Sequence, residues 1–225
     1  MFKDLNEAEA FAKVLLWGPP GAGKSTQAIW CAISLHKGTG APVFILDTEN
    51  ALQAAKAIFD AAGVPVQAMQ TTRPEEATKA VRHVEQSKGI LVLDSGTDLY
   101  RLPRAAWMSK HGKTQIPLNA YTGIDQPFNE FVEVVKWAKC HIVYTLKAKN
   151  DKDVVDENEQ TFQVADGKGL EYIARVKCAM SATKKKGAPA DITMLVTDDA
   201  AVGKTFRATN PTQELCDKLM ARFIK

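Results

Sequence analysis

Residues 18–26 read Gly18-Pro19-Pro20-Gly21-Ala22-Gly23-Lys24-Ser25-Thr26. This is the order of a phosphate-binding loop, and chemistry explains the residue types. Glycines let backbone N–H groups turn toward phosphate oxygens with no side chain in the way. Lys24 carries a mobile charge to the β- and γ-phosphates, and the Ser25 hydroxyl is the Mg²⁺ ligand of such loops. The loop leads into a helix whose N-terminal dipole faces the anion. Gly18 to Thr26 are therefore the expected nucleotide contacts, with Ser25 on the metal and Lys24 exposed at the loop.

The flanking sequence supports the motif. Val14-Leu15-Leu16-Trp17 has strand character, and Gln27 to Leu35 is helix-like and ends near Gly38. Strand, glycine loop and helix is the context such a loop requires. Further along, Pro42 to Glu49 reads as a buried strand ending in acids. Asn50 to Ala62 reads as a helix stopped by Gly63, and Val64 to Met69 as a short strand. Pro74-Glu75-Glu76 opens a helix that runs to Lys88, with Pro and acids in its first turn. Ile90 to Ser95 and His141 to Leu146 are further strong strands. Between them, Gly96 to Gly123 lacks clear periodicity, and Asp125 to Lys139 carries Phe128, Phe131, Val132, Val135 and Trp137 with i, i+3 and i+4 contacts on one face.

The last third changes character. Val154-Val155 and Thr161 to Val164 flank an acidic turn, and Ile173 to Met180 and Ile192 to Val196 flank the basic turn Lys184-Lys185-Lys186-Gly187. Both read as hairpins, and Thr212 to Lys225 reads as a terminal helix. The expected fold is α/β, a mostly parallel sheet flanked by helices with an antiparallel hairpin extension, in a single domain over residues 1–225.

The formal net charge of +3 is too mild to argue for nucleic acid, so local clustering must carry that case. Cys31, Cys140, Cys178 and Cys216 form no C-x-x-C pair, which disfavours zinc and suggests reduced core thiols. With no long apolar run and no signal peptide, the expectation is a cytoplasmic protein with no membrane partner.

Asp94 closes an apolar strand, where an acid in phosphate-loop enzymes holds Mg²⁺ beside the loop serine. The spelling Gly-Pro-Pro-Gly-x-Gly-Lys resembles the AAA+ ATPases, a family that usually places its catalytic glutamate directly after this aspartate. Here Ser95 stands there, so a base must come from elsewhere. The strand end Leu46-Asp47-Thr48-Glu49 resembles that of the RecA-like recombinases, whose catalytic glutamate ends the same strand in an Ile-Asp-x-Glu setting. That resemblance implies Glu49 as the base activating water. The alternative for Glu49, and equally for Asp47, is an acid at a helix N-terminus. Thr145 sits where RecA-like enzymes carry a polar γ-phosphate sensor, commonly glutamine; the other reading is an ordinary strand threonine.

Residues 14–146 thus resemble a RecA-like ATPase core, especially compact phage-type recombinases and single-strand annealing ATPases. The resemblance implies ATP and Mg²⁺ as cofactors, self-association into a ring or filament, and a bacterial or phage-infected host cell. It also implies DNA contact by two loops, the first corresponding to 96–123. There Arg101, Arg104, Lys110, His111 and Lys113 lie together, interleaved with Tyr100, Trp107 and Tyr121. Cations that track phosphates and rings that stack on bases make up a single-stranded DNA site. The other reading is a solvated insertion with Trp107 packed back on the domain. In the second loop, 147–170, Lys147 or Lys149 matches trans-acting lysines that reach a neighbour's γ-phosphate, or is solvated charge. Lys204 and Arg207 are weaker candidates of the same kind. Two further function classes stand beside a DNA-acting ATPase: a small-molecule kinase, and a nucleotide-gated assembly protein.

Overall fold

A computed structural model describes residues 11–148, 168–183, 189–199 and 205–224, without the side chains of 197–199. The expected hairpin over 154–164, and Lys149, Lys184 to Lys186 and Lys204, lie outside the described residues.

The elements in chain order are β1 (Lys13–Gly18), α1 (Lys24–Thr39), β2 (Val43–Asp47), α2 (Leu52–Ala62), β3 (Val66–Gln70), α3 (Pro74–Gln86), β4 (Ile90–Asp94) and α4 (Gly96–Lys110). They continue with α5 (Leu118–Trp137), β5 (His141–Lys147), α6 (Leu170–Ile173), β6 (Val176–Thr183), β7 (Asp191–Asp199), β8 (Phe206–Thr209) and α7 (Gln213–Met220), followed by a 3₁₀ turn (Ala221–Phe223). The eight strands form one sheet in the order β3-β2-β4-β5-β1-β6-β7-β8. From β3 to β6 the neighbours are parallel; β7 and β8 add antiparallel.

Strand periodicity builds the two sides of the core. Val14 and Leu16, Val43 and Ile45, and Ile90 and Val92 project to one side. They meet Ile29, Ala32 and Ile33 of α1, Phe59 of α2 and Leu219 of α7. The alternate residues Leu15 and Trp17, Phe44 and Leu46, and Leu91 and Leu93 project to the other. They meet Val81 of α3, Leu99 of α4, and Phe128 and Phe131 of α5. Burial on both faces is why these strands read as unbroken apolar runs. Each such side chain taken from water contributes about 1.5–3 kcal/mol.

The segment 96–123, expected as a loop without clear periodicity, is largely helical. α4 occupies most of it, and α5 begins at Leu118 rather than Asp125. Only the first turns of α4 face the core, through Leu99 and Tyr100. Beyond Pro103 most of the helix is solvent-facing, and Leu118 is exposed. Pro103 and Pro127 lie inside the two helices, where proline removes a backbone donor and hides the helical signal in the sequence. The C-terminal part also differs in detail. Residues 170–173 form the short helix α6, so β6 starts only at Val176, and the terminal helix ends at Met220.

Candidate active site

Four parallel strands, β2, β4, β5 and β1, end at the same edge of the sheet, the C-terminal edge where open α/β folds place ligands. The phosphate loop leaves β1 there. Gly18 has φ 155°, and a Cβ on it would stand 2.1 Å from the Met180 carbonyl oxygen of β6, so the loop turns where no side chain fits. Gly23 caps α1 at φ 80°, and its own Cβ would press on Ile192 of β7. The antiparallel extension therefore packs directly against the loop.

Lys24 is half-buried rather than exposed, and its Nζ donates to the Pro19 carbonyl at 2.9 Å. Burial pulls its ammonium below the usual lysine range, while the Glu49 and Asp94 carboxylates oppose that shift. Asp94 is 6% exposed, opposite Asp47 in the β2–β4 register. Thr145 Oγ1 donates to Asp94 Oδ1 at 2.5 Å, and the Ser25 hydroxyl stands near enough to this carboxyl to act on its pKa. Burial raises the Asp94 pKa; the Ser25 and Thr145 hydrogen bonds oppose it, and the Glu49 charge adds to it. Thr145 is fully buried, and its hydroxyl holds the acid.

The two acids after Leu46 have different partners. Asp47 is 2% exposed and uses both carboxylate oxygens on the chain ahead. Oδ1 accepts the Glu49 N–H at 2.8 Å, and Oδ2 accepts the Ala51 N–H at 2.7 Å. It shapes the turn into α2 and is not free for water. Glu49 has a side chain 34% exposed, and Lys147 Nζ lies 2.9 Å from its Oε1. Ser95 is fully buried, so the position after Asp94 offers no group to solvent.

Sequence reasoning missed three contributors. Thr48 donates its N–H to the Asp94 carbonyl at 2.7 Å and binds Ser95 through its hydroxyl. Thr97 Oγ1 accepts the Lys147 N–H at 2.9 Å, and Asp98 Oδ2 lies 2.7 Å from Lys147 Nζ. Their partners are some fifty residues away in sequence, and no motif marks them. Lys147, by position a match for trans-acting lysines, is engaged within its own chain.

The expected DNA cluster divides. Arg101, Lys110 and Lys113 are exposed. Trp107 is half-buried, with its ring stacked on His111 at 4.2 Å. Arg104 does not belong with them. Its Nε and Nη2 donate to the two oxygens of Asp125 at 2.8 and 2.6 Å, and its guanidinium lies over Tyr100 and Tyr121 at 4.2 and 4.9 Å. Lys168 Nζ reaches the same carboxylate at 2.6 Å. Burial pushes the Asp125 carboxyl up, but the Arg104 and Lys168 hydrogen bonds outweigh it and hold the pKa below the usual range. Arg104, Tyr100 and Tyr121 thus join α4 to α5, because the buried Asp125 needs a charged partner. Arg207 is exposed on β8.

No helix among the described residues is long and apolar enough to cross a membrane. The protein RecA of Clostridioides difficile (strain 630) is 25% identical over 169 residues, which cover 73% of this chain and 46% of RecA. The chain therefore spans about half the length of that relative. A family model described as an AAA domain matches residues 10–215, nearly the whole chain. With a phosphate loop at the head of a mostly parallel sheet and an acid ending β4, the chain belongs to this AAA-domain family and has a RecA-like P-loop fold.

Proposed function

We propose that the protein hydrolyses ATP with Mg²⁺ and uses that cycle on single-stranded DNA, in recombination or annealing, as a self-associating assembly. One observation carries the hydrolytic part. Lys24, Ser25 and Glu49 converge with Asp94 on one edge of the sheet, close enough that each acts on the Asp94 carboxyl. Gly18 to Thr26 bind the phosphates and Lys24 compensates their charge. Ser25 and Asp94 fit Mg²⁺, since a hydroxyl and a carboxylate are hard oxygen donors and both stand where the loop meets the strand ends. When bound, the ion neutralises charge on the phosphate oxygens. Glu49 accepts the proton of the attacking water, being a carboxylate about one-third exposed at this edge whose oxygens are not spent on backbone.

The DNA part rests on the exposed cations Arg101, Lys110 and Lys113, with Trp107 beside them, and on the likeness to RecA. The test is the ATP hydrolysis rate with and without single-stranded DNA at two salt concentrations, with Lys24→Ala protein as the blank. Stimulation that weakens with salt supports the reading. An unchanged rate at both salts removes the DNA part, and phosphate transfer to a metabolite without DNA would identify a kinase instead.

A further inference from the structure

Lys147 ends β5 with its ammonium between carboxylates of two different elements. Glu49 Oε1, just beyond β2, is 2.9 Å away, and Asp98 Oδ2, in the first turn of α4, is 2.7 Å away. The backbone of Lys147 is tied to the same turn through Thr97 Oγ1. The bridge is partly shielded, with Asp98 14% and Lys147 30% exposed. Burial works against the Lys147 charge, but the hydrogen bonds that its ammonium donates to Asp98 and Glu49 outweigh it and raise its pKa. The Lys147 ammonium is thus the cation that holds the partly exposed Glu49 carboxylate in place.

We propose that Lys147 is a positioning residue for hydrolysis: through the Glu49–Lys147–Asp98 bridge it sets where the base stands and couples that place to α4. The inference rests on the reading of Glu49 as the base. It gives α4, which also carries Arg101 and Lys110, a direct mechanical route to the chemistry. A ligand that shifts the first turn of α4 moves Asp98, then Lys147, then Glu49.

Single-turnover ATP hydrolysis at saturating ATP, together with ATP affinity, tests the bridge in Lys147→Met, Asp98→Asn, the double variant, Lys147→Arg and Glu49→Gln. Lys147→Met and Asp98→Asn should each slow hydrolysis by roughly 10- to 100-fold, as a displaced catalytic group does, with ATP affinity unchanged. The double variant should be no slower than the slower single, and Lys147→Arg should restore most of the rate, which a folding defect would not permit. Asp98→Asn at the parent rate beside a slow Lys147→Met would overturn the bridge and leave Lys147 acting directly on phosphate. Parent rates in both single variants beside a dead Glu49→Gln would overturn the bridge and leave the base in place. A parent rate in Glu49→Gln would remove the base and the bridge together.

Discussion

The Thr48 hydroxyl both accepts the Ser95 N–H, at 2.8 Å, and donates to the Ser95 carbonyl, at 3.0 Å. One side chain thus ties the end of β2 to the end of β4, one residue beyond the level where Asp47 and Asp94 stand opposite each other. Glu49 is the next residue, so its backbone starts from a place set by the strand that carries Asp94. Thr48→Val keeps the shape and leaves the Ser95 N–H without its partner. The expected loss is about 1–3 kcal/mol in urea unfolding, with Thr48→Ser close to the parent. Equal stability of the Val and parent proteins would show that the tie carries no weight.

Glu49→Gln and Asp47→Asn should separate chemistry from structure. Glu49→Gln keeps ATP binding and slows hydrolysis by roughly 10²-fold or more, as for a lost base. Asp47→Asn cannot accept through both side-chain atoms, so it loses the Glu49 or the Ala51 N–H and about 1 kcal/mol of stability. Paired rate and melting measurements check both. A large rate loss confined to Asp47→Asn would reverse the assignment.

Burial raises the Asp94 pKa, so the folded protein holds that proton more tightly than the unfolded chain. The contribution is complete at low pH and is lost as pH rises from the unfolded value of 3.8 through the raised folded value. Asp94→Asn has no such loss. The variant should therefore gain stability relative to the parent between about pH 4 and pH 7, while its Mg²⁺-dependent turnover falls. Denaturant titrations at the two pH values check the sign, and a constant difference between the proteins would refute it.

Lys13 tests the opposite end of β1. It is 5% exposed, and its Nζ donates to the Ala138 and Cys140 carbonyls, each at 2.9 Å. Burial lowers its pKa to about 8; the Cys140 and Glu85 charges oppose this and Arg175 adds to it. The unfolded chain keeps the proton up to 10.5, so between those values stability rises with pH, by up to about 3 kcal/mol. Lys13→Met removes that rise. The stability difference between parent and variant should move in the parent's favour from pH 7.5 to pH 10, to be read by denaturant titration with other groups held constant.

Replacing Arg101, Lys110 and Lys113 with Ala should lower the slope of log K against log salt for single-stranded DNA, by about 0.7 for each phosphate that is no longer neutralised. Trp107→Ala should weaken binding by roughly 1–3 kcal/mol with little change in slope, if the indole stacks on a base. Arg104→Ala should act on stability instead, by up to roughly 3 kcal/mol, with Lys168 still holding Asp125. Thermal melts and salt-dependent DNA titrations distinguish the two classes. A parent-like melt for Arg104→Ala together with a lower salt slope would return Arg104 to the DNA face.

The phosphate loop and the strands β1, β2, β4 and β5 were legible in the sequence because each depends on local rules. Glycines answer to backbone geometry, and strands buried on both faces must be apolar throughout. The acids at the ends of β2 and β4 could be found for the same reason, as the first charges after apolar runs. Tertiary structure alone decided how these groups divide the work. Asp47 and Glu49 are two residues apart and chemically alike. They differ because the turn into α2 brings two N–H groups to Asp47, while β5 brings Lys147 to Glu49. Arg104 and Arg101 look alike in one basic segment. They differ because the fold sets the buried Asp125 against Arg104 and turns Arg101 toward solvent. A side chain's type follows from its codon, but its role follows from which charge or donor the fold places within about 3 Å of it, at distances in sequence that no local pattern encodes.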